Sequence, residues 1–333
     1  MRNEARGDVW KVWLYAAASV TLGAWISPLL YNAGKALAEV SSAKSTNGLL
    51  DWLAGICRAA DFTRFHGAAI LLAAALLFLP WMEWIHAPRG TAVARGPWRL
   101  RLPYGARMAL RGQPLREQPN GFWHLCAGFL VAAGLLLPMA VAMVPAGFFS
   151  LRSPVGGLAP LAVKTLSGGF LLAAVMEVFF RGVAMGIFLR AMRPSAALGM
   201  SAAFFALVLS VIPQAGVGVA DPDAAGTGFE LLGRLFEQLA DWRALGAKLL
   251  PLLALGLVLA YARWRTESLW MPIGLHTGWL FSKGMLGALG VAVPQGAGAL
   301  LLHGLAPTLA LLIAGILAHY LTAHHADEAA VRF

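Results

Sequence analysis

The stretch VMEVFFRGVAMG, residues 175–186, holds one acidic and one basic side chain in a run that is otherwise apolar or glycine. These are Glu177 and Arg181, whose spacing of four places them on one face of a helix. A carboxylate in that position accepts hydrogen bonds from the guanidinium. Charges deep in an apolar segment are rare, normally face the protein interior and are candidates for function. Two interpretations stay open: an ion pair that pins neighbouring helices together, and part of a reactive site.

A second polar group occurs in SLWMPIGLHTGWLFSKG, residues 268–284, which supplies His276. An imidazole acts as acid, base or metal ligand near neutral pH. At about 1.5 Å per residue, His276 and Glu177 reach similar depths from the basic loops that flank their segments. We therefore expect them to share one enclosed site. Lys283 follows on the same helical face as His276. The alternative for His276 is a hydrogen-bonded core residue without a chemical role.

The composition of the chain predicts a membrane protein. Hydrophobic residues make up 59% of the 333-residue chain and charged residues only 13%, and the mean hydropathy is +0.68. Such values lie outside the range of soluble domains. A span needs about 20 apolar residues, and its backbone must be helical because lipid satisfies no peptide group. The sequence predicts an all-α, polytopic transmembrane bundle of about eight spans, at roughly residues 9–31, 66–86, 122–149, 161–189, 197–219, 245–262, 268–290 and 298–321.

The basic residues predict the orientation. One loop, residues 87–121, has seven arginines and one acidic residue. Because Lys and Arg resist translocation, this loop should be cytoplasmic, and an even number of spans then places both termini in the cytoplasm. We expect a multi-pass protein of the cell (inner or plasma) membrane. The arginines are Arg89, Arg95, Arg99, Arg101, Arg107, Arg111 and Arg116.

The formal net charge of +10 raises the question of the partners. The arginines between Arg89 and Arg116 lie beside membrane spans, and no nucleic-acid motif accompanies them, so we expect no nucleic-acid partner. Anionic lipid head groups are the expected partner of this loop.

The chain reads as one integral domain with three segments. Residues 1–160 hold the first three spans and the Arg-rich loop, residues 161–290 hold the polar candidates, and residues 291–333 hold the last span and a tail. One outer-loop sequence, FELLGRLFEQLADWRAL, places apolar residues on one helical face and is expected to lie along the membrane surface. The face comprises Leu231, Leu232, Leu235, Leu239 and Trp242.

MEVFFRG and SLWMPIGLHTGW together resemble the CAAX protease and bacteriocin-processing family of intramembrane endopeptidases, also called abortive-infection or Ras-converting-enzyme-like proteins. The resemblance covers roughly residues 165–290. That family has a Glu-Glu-x-x-x-Arg motif on one span, a Phe-x-x-x-His motif on the next, and a His-x-x-x-Asn or similar motif on a later span. The resemblance assigns Glu177, Arg181 and His276 to the catalytic site.

Three positions depart from these motifs. Met176 stands where the family has the glutamate that activates water, and a thioether cannot accept that proton. Phe205 is followed four residues later by Leu209 in place of the second-motif histidine. Leu280 stands in place of the polar residue of the third motif. The resemblance therefore identifies a divergent member, and whether it is an enzyme stays open.

The same residues bear on cofactors. A catalytic zinc usually has three protein ligands and an open position. Glu177 and His276 supply two at most, so we expect no metal or other cofactor, and zinc only if ligands come from outside the three motifs.

Three functions follow as hypotheses. In the first, the protein is catalytically silent or repurposed and binds a membrane-associated peptide or a partner protein in the ancestral substrate cavity. In the second, it is an active intramembrane endopeptidase that cleaves near the C-terminus of a membrane or lipidated protein, with Glu177 as general base and His276 as electrostatic stabiliser. In the third, it is a transporter, although its spans lack the interrupted helix pairs that transporters often carry.

Overall fold

The computed structural model describes residues 2–43, 47–85, 121–145, 147, 149–151, 157–213, 218–240, 242–292 and 300–330. The predicted Arg-rich loop lies outside these ranges except for its last residue. The described part is helical apart from one pair of short antiparallel strands, β1 (Phe149–Leu151) and β2 (Gly290–Ala292).

The α-helices, numbered in chain order, are α1 Arg2–Ala43, α2 Gly48–Ala59, α3 Phe62–Trp84, α4 Gly121–Ala142, α5 Leu158–Glu177, α6 Met185–Ala191, α7 Pro194–Ser210, α8 Thr227–Ala240, α9 Trp242–Thr266, α10 Trp270–Leu289 and α11 Ala306–Ala330. Two segments are π-helical, and we name them π1 (Val178–Ala184) and π2 (Leu300–Leu305).

The predicted fold class, an all-α polytopic bundle, is confirmed. Among the described residues, six helices are long and apolar enough to cross a membrane, so the count of eight is not confirmed. The two remaining predicted spans correspond to α7, which is too short, and to α10, whose polar residues lower its hydropathy. The six are Gly7–Ala43, Phe62–Trp84, Gly121–Ala142, Leu158–Ala191, Leu245–Thr266 and Leu301–Thr322.

The chain divides into two compact units. One contains residues 1–5, 88–206 and 243–333, and the other contains residues 6–87 and 207–242. The predicted division into three consecutive segments stays a prediction.

In the second unit, α1 and α3 pair along their length. The Tyr15 hydroxyl donates to the carbonyl of Ala74 at 2.6 Å, and the Trp81 indole N–H donates to the carbonyl of Lys11 at 3.0 Å. The rings of Tyr15 and Trp81 stack with centroids 4.4 Å apart. These bonds between distant parts of the chain hold the two helices antiparallel.

Helix α8 differs from the expectation that its apolar face lies along the membrane surface. Leu231 and Leu235 are fully buried and pack with Phe62 of α3. This part of the face is therefore covered by protein, which removes apolar surface from water as lipid would and adds close packing. The side chains of Leu239 and Trp242 lie outside the described part.

Helix α10 forms the core of the first unit. All residues from 271 to 279 are buried, because the helix packs closely against its neighbours through glycine. A Cβ at Gly278 would lie 2.7 Å from the carbonyl oxygen of Phe129 in α4, and a Cβ at Gly128 would lie 2.7 Å from that of Met271. Small residues that let backbones approach are the usual device of helix contacts in membranes.

Candidate functional site

The site begins with the change of helix type after Glu177. Helix α5 ends at this residue, and the chain continues as π1, in which the N–H of Met185 donates to the carbonyl of Phe180, five residues earlier. The wider turn buries the consecutive residues Phe180, Arg181 and Gly182. π-helical turns inside longer helices occur frequently at functional sites.

Glu177, Arg181 and His276 come together in this interior. Arg181 Nη1 donates to Glu177 Oε1 at 3.0 Å, and His276 Nδ1 lies 2.7 Å from the same oxygen. The exposed fractions are 0% for Glu177, 0% for Arg181 and 1% for His276. The predicted meeting of a carboxylate and an imidazole from separate helices is therefore observed. The chemical roles of the three residues remain predictions.

The guanidinium of Arg181 is fixed by two further elements. Its Nη2 donates to the carbonyl of Gly256 in α9 at 3.2 Å. Its central carbon lies 4.1 Å from the ring centroid of Phe205 in α7, a cation–π distance. The Phe205 ring also meets His276 edge to face at 5.7 Å. The backbone carbonyl of Gly256 and the ring of Phe205 thus hold the guanidinium in place.

Two polar atoms of this site keep unused hydrogen-bonding capacity. Glu177 Oε2, an acceptor, and Arg181 Nε, a donor, are buried and have no hydrogen-bond partner among the described residues. A buried polar atom without a partner costs about 1–3 kcal/mol. An unused acceptor and an unused donor can each form a hydrogen bond with water or with a peptide group.

The contact with Glu177 is compatible with one tautomer of His276 when the carboxylate is ionised. An ionised carboxylate only accepts hydrogen bonds, so Nδ1 is the donor in the 2.7 Å contact. In the neutral imidazole, Nε2 then keeps its lone pair. Because Arg181 balances the charge of Glu177, the neutral form leaves the site without net charge.

The three departures from the motifs have different surroundings. Met176 is half-buried one residue before Glu177 and brings no carboxylate. Leu280 is half-buried at the contact of α10 with α5, where a Cβ at Gly169 would lie 3.4 Å from its Cβ. Leu209 lies in the last turn of α7, in the unit that does not contain His276. A shared site with position 209 therefore stays a prediction.

Lys283, predicted on the face of His276, is exposed. Its ammonium lies 5.7 Å from the ring centroid of Trp279. The cation is thereby placed over an aromatic ring on its own helix.

No group of three or more metal-ligating side chains occurs in the described part of the chain. Glu177 and His276 offer two ligand types, one fewer than a catalytic zinc usually takes from protein. The Glu177 oxygen nearest to the imidazole also binds Arg181 at 3.0 Å, which places a cation where a metal would bind. The geometry does not fit zinc.

Residues 158–282 match a family model, type II CAAX prenyl endopeptidase Rce1-like. This segment is similar to the CAAX protease family, and the apolar helices indicate a multi-pass membrane protein. The matched segment is less than half of the chain and runs from the first residue of α5 into α10, so it includes all three site residues. The resemblance expected from the motifs is confirmed. No curated protein and no solved structure matches the chain significantly.

The sequence did not reveal two residues that contact the polar cluster, Gly256 and Phe205. The carbonyl of Gly256 accepts a hydrogen bond from Arg181. The surrounding sequence, LALGLVLA, is apolar and contains no motif that would predict this contact. Phe205 opens the second motif, but its contacts with Arg181 and His276 follow only from the packing of α7. A Cβ at Gly256 would lie 3.0 Å from the Ala202 carbonyl oxygen, so glycine is needed for this approach.

Proposed function

We propose that this CAAX-protease-like protein binds a membrane-associated peptide or partner protein at Glu177, Arg181 and His276 without hydrolysing it. One observation carries the proposal: Glu177 Oε1 accepts from both Arg181 and His276, at 3.0 and 2.7 Å, while the adjacent motif position is Met176. A carboxylate held by an arginine and an imidazole is a poor base for water. The unpartnered Glu177 Oε2 and Arg181 Nε remain to bind a peptide group.

The test uses purified full-length protein in vesicles and a prenylated peptide that ends in a Cys-a-a-X sequence and carries a photoreactive group. We expect a crosslink to residues near His276 and no release of a product peptide. Under conditions in which circular dichroism shows both variants to be folded, Glu177→Gln should weaken the crosslink, whereas Glu230→Gln, which alters the exposed ion pair with Arg234, should not. Release of product by the wild type, lost in Glu177→Gln, would contradict the proposal, and so would a folded protein that gives no crosslink.

A second candidate is endopeptidase activity, which the 2.7 Å contact between Glu177 and His276 favours with altered roles. Here Glu177 orients the imidazole, as the acidic member of a catalytic triad does. His276 Nε2 takes a proton from water as the oxygen attacks the scissile carbonyl, and returns it to the leaving amine. Activity that falls with His276→Gln, in a protein of unchanged stability, would support this candidate over silent binding.

The orientation belongs to the same proposal. The Arg-rich loop and both termini lie on the cytoplasmic side of the inner membrane, where anionic head groups bind arginine. A membrane-impermeant thiol reagent added to intact cells should leave a cysteine introduced at Arg107 unlabelled. Labelling at this position would show that the loop lies on the outer side of the membrane and would contradict the proposed orientation.

A further inference from the structure

Helix α2 has its polar face turned towards the protein and its apolar face turned outwards. It connects the membrane-spanning helices α1 and α3 and has 12 residues, too few to span a membrane. Four large apolar side chains recur with the spacing of one helical face and are exposed: Leu49 (72%), Trp52 (63%), Leu53 (39%) and Ile56 (47%). A surface helix of a soluble protein instead turns its apolar face towards the protein core and its polar face towards water.

The inner face of α2 is fixed to α1 by polar contacts. The Ser41 hydroxyl donates to the Asp51 carboxylate at 2.8 Å, and Arg58 Nη2 donates to the carbonyl of Ala38 at 3.2 Å. Asp51 and Arg58 are the charged residues of α2, so both charges are used against α1. The outward face is left without a charged side chain.

The C-terminal end of α2 is held by Lys35 of α1. Its ammonium donates to the carbonyls of Cys57 at 3.1 Å and Ala60 at 2.8 Å, which would otherwise lack partners at the helix end. A cation at a helix C-terminus is also favoured by the helix dipole. The orientation of α2 is therefore set by the protein, and its apolar face is exposed in a fixed direction.

The position of α2 along the chain points to lipid as the partner of this face. Asp61 caps the N-terminus of α3 by accepting from the Arg64 N–H at 3.2 Å, and α3 itself is long enough to span the hydrocarbon. Ile56 thus lies six residues before the first residue of a span. The end of a span is where the head-group region begins. The apolar face continues the lipid-facing surface, and tryptophan is enriched at this depth.

We propose that α2 is an interfacial anchor, with Leu49, Trp52, Leu53 and Ile56 embedded in the leaflet on the side of the membrane where α1 ends and α3 begins. The partner is the lipid of that leaflet, at the level of the head groups and the first acyl carbons.

The test measures the surroundings of spin labels on α2. The free cysteines Cys57 and Cys126 are replaced by serine in the full-length protein, and single labels are placed at Leu53→Cys and, separately, at Ile56→Cys. Ser42→Cys, an exposed polar position on α1, is the matched control. Each protein is reconstituted in phosphatidylcholine and phosphatidylglycerol vesicles. Power saturation then compares collisions with oxygen, which concentrates in lipid, and with a nickel chelate, which stays in water.

Labels at positions 53 and 56 should collide several-fold more often with oxygen than with the nickel chelate, and the label at position 42 should show the reverse. A water-like ratio at both α2 positions would overturn the proposal. Protection from both reagents would also overturn it, because the face would then be covered by protein.

Discussion

The imidazole of His276 lies 2.7 Å from the carboxylate of Glu177, although 99 residues separate the two in the chain. The same carboxylate oxygen accepts from Arg181, one helical turn later. One oxygen thus joins α5, π1 and α10 in the buried interior of this unit. The neighbouring Met176 brings no ionisable group, and the polar groups of this site mainly bind one another.

Glu177→Gln is predicted to destabilise the protein strongly. The substitution leaves the fully buried Arg181 without its counter-charge, and removing one member of a buried pair costs about 3–5 kcal/mol. Denaturant unfolding in mixed micelles measures the change. Glu230→Gln is the control, because its pair with Arg234 is exposed and worth about 1 kcal/mol or less. Equal changes in the free energy of unfolding would show that the buried pair stabilises the protein no more than the exposed pair does.

Met176→Glu is predicted to increase hydrolysis of a prenylated reporter peptide. It returns a carboxylate to the motif position that the family uses as base, and a well-placed acid or base contributes about 10²–10⁴-fold in rate. Release of product by reconstituted protein is measured, alone and with Leu209→His added. Met176→Gln, which has nearly the shape of glutamate but no basic carboxylate, is the control and should not increase hydrolysis. An equal gain from Met176→Gln would show that the carboxylate is not the cause.

Gly256→Ala is predicted to destabilise the protein by about 1–3 kcal/mol, the usual cost of overpacking. The added Cβ would lie 3.0 Å from the Ala202 backbone and 3.2 Å from the Phe205 ring. It should move Phe205 away from Arg181. Gly134→Ala is the matched control in α4, where a Cβ meets nothing within 4 Å, and there alanine should be neutral or slightly stabilising. Thermal unfolding in detergent compares the two variants.

Chelator treatment is predicted to leave the protein unchanged. Glu177 and His276 are too few ligands for tight zinc binding, and Arg181 binds the shared carboxylate oxygen. Elemental analysis of purified protein should find less zinc than one equivalent. The unfolding temperature should be the same with and without EDTA. Stoichiometric zinc, or a drop in that temperature, would require ligands outside the three motifs.

The sequence by itself determined the fold class and the polar residues of the site. Apolar runs of about 20 residues have one stable backbone form in lipid, and charges are costly there, so Glu177, Arg181 and His276 stand out without a structure. The family resemblance followed from the same residues.

Only the tertiary structure decided what these residues contact. The sequence holds no record of the packing that brings Phe205 and the carbonyl of Gly256 to Arg181, because such contacts depend on how closely helices approach. The two amphipathic helices show the same limit. An apolar face on α8 and one on α2 look alike in sequence, and whether protein covers each face depends on the neighbours that the fold supplies.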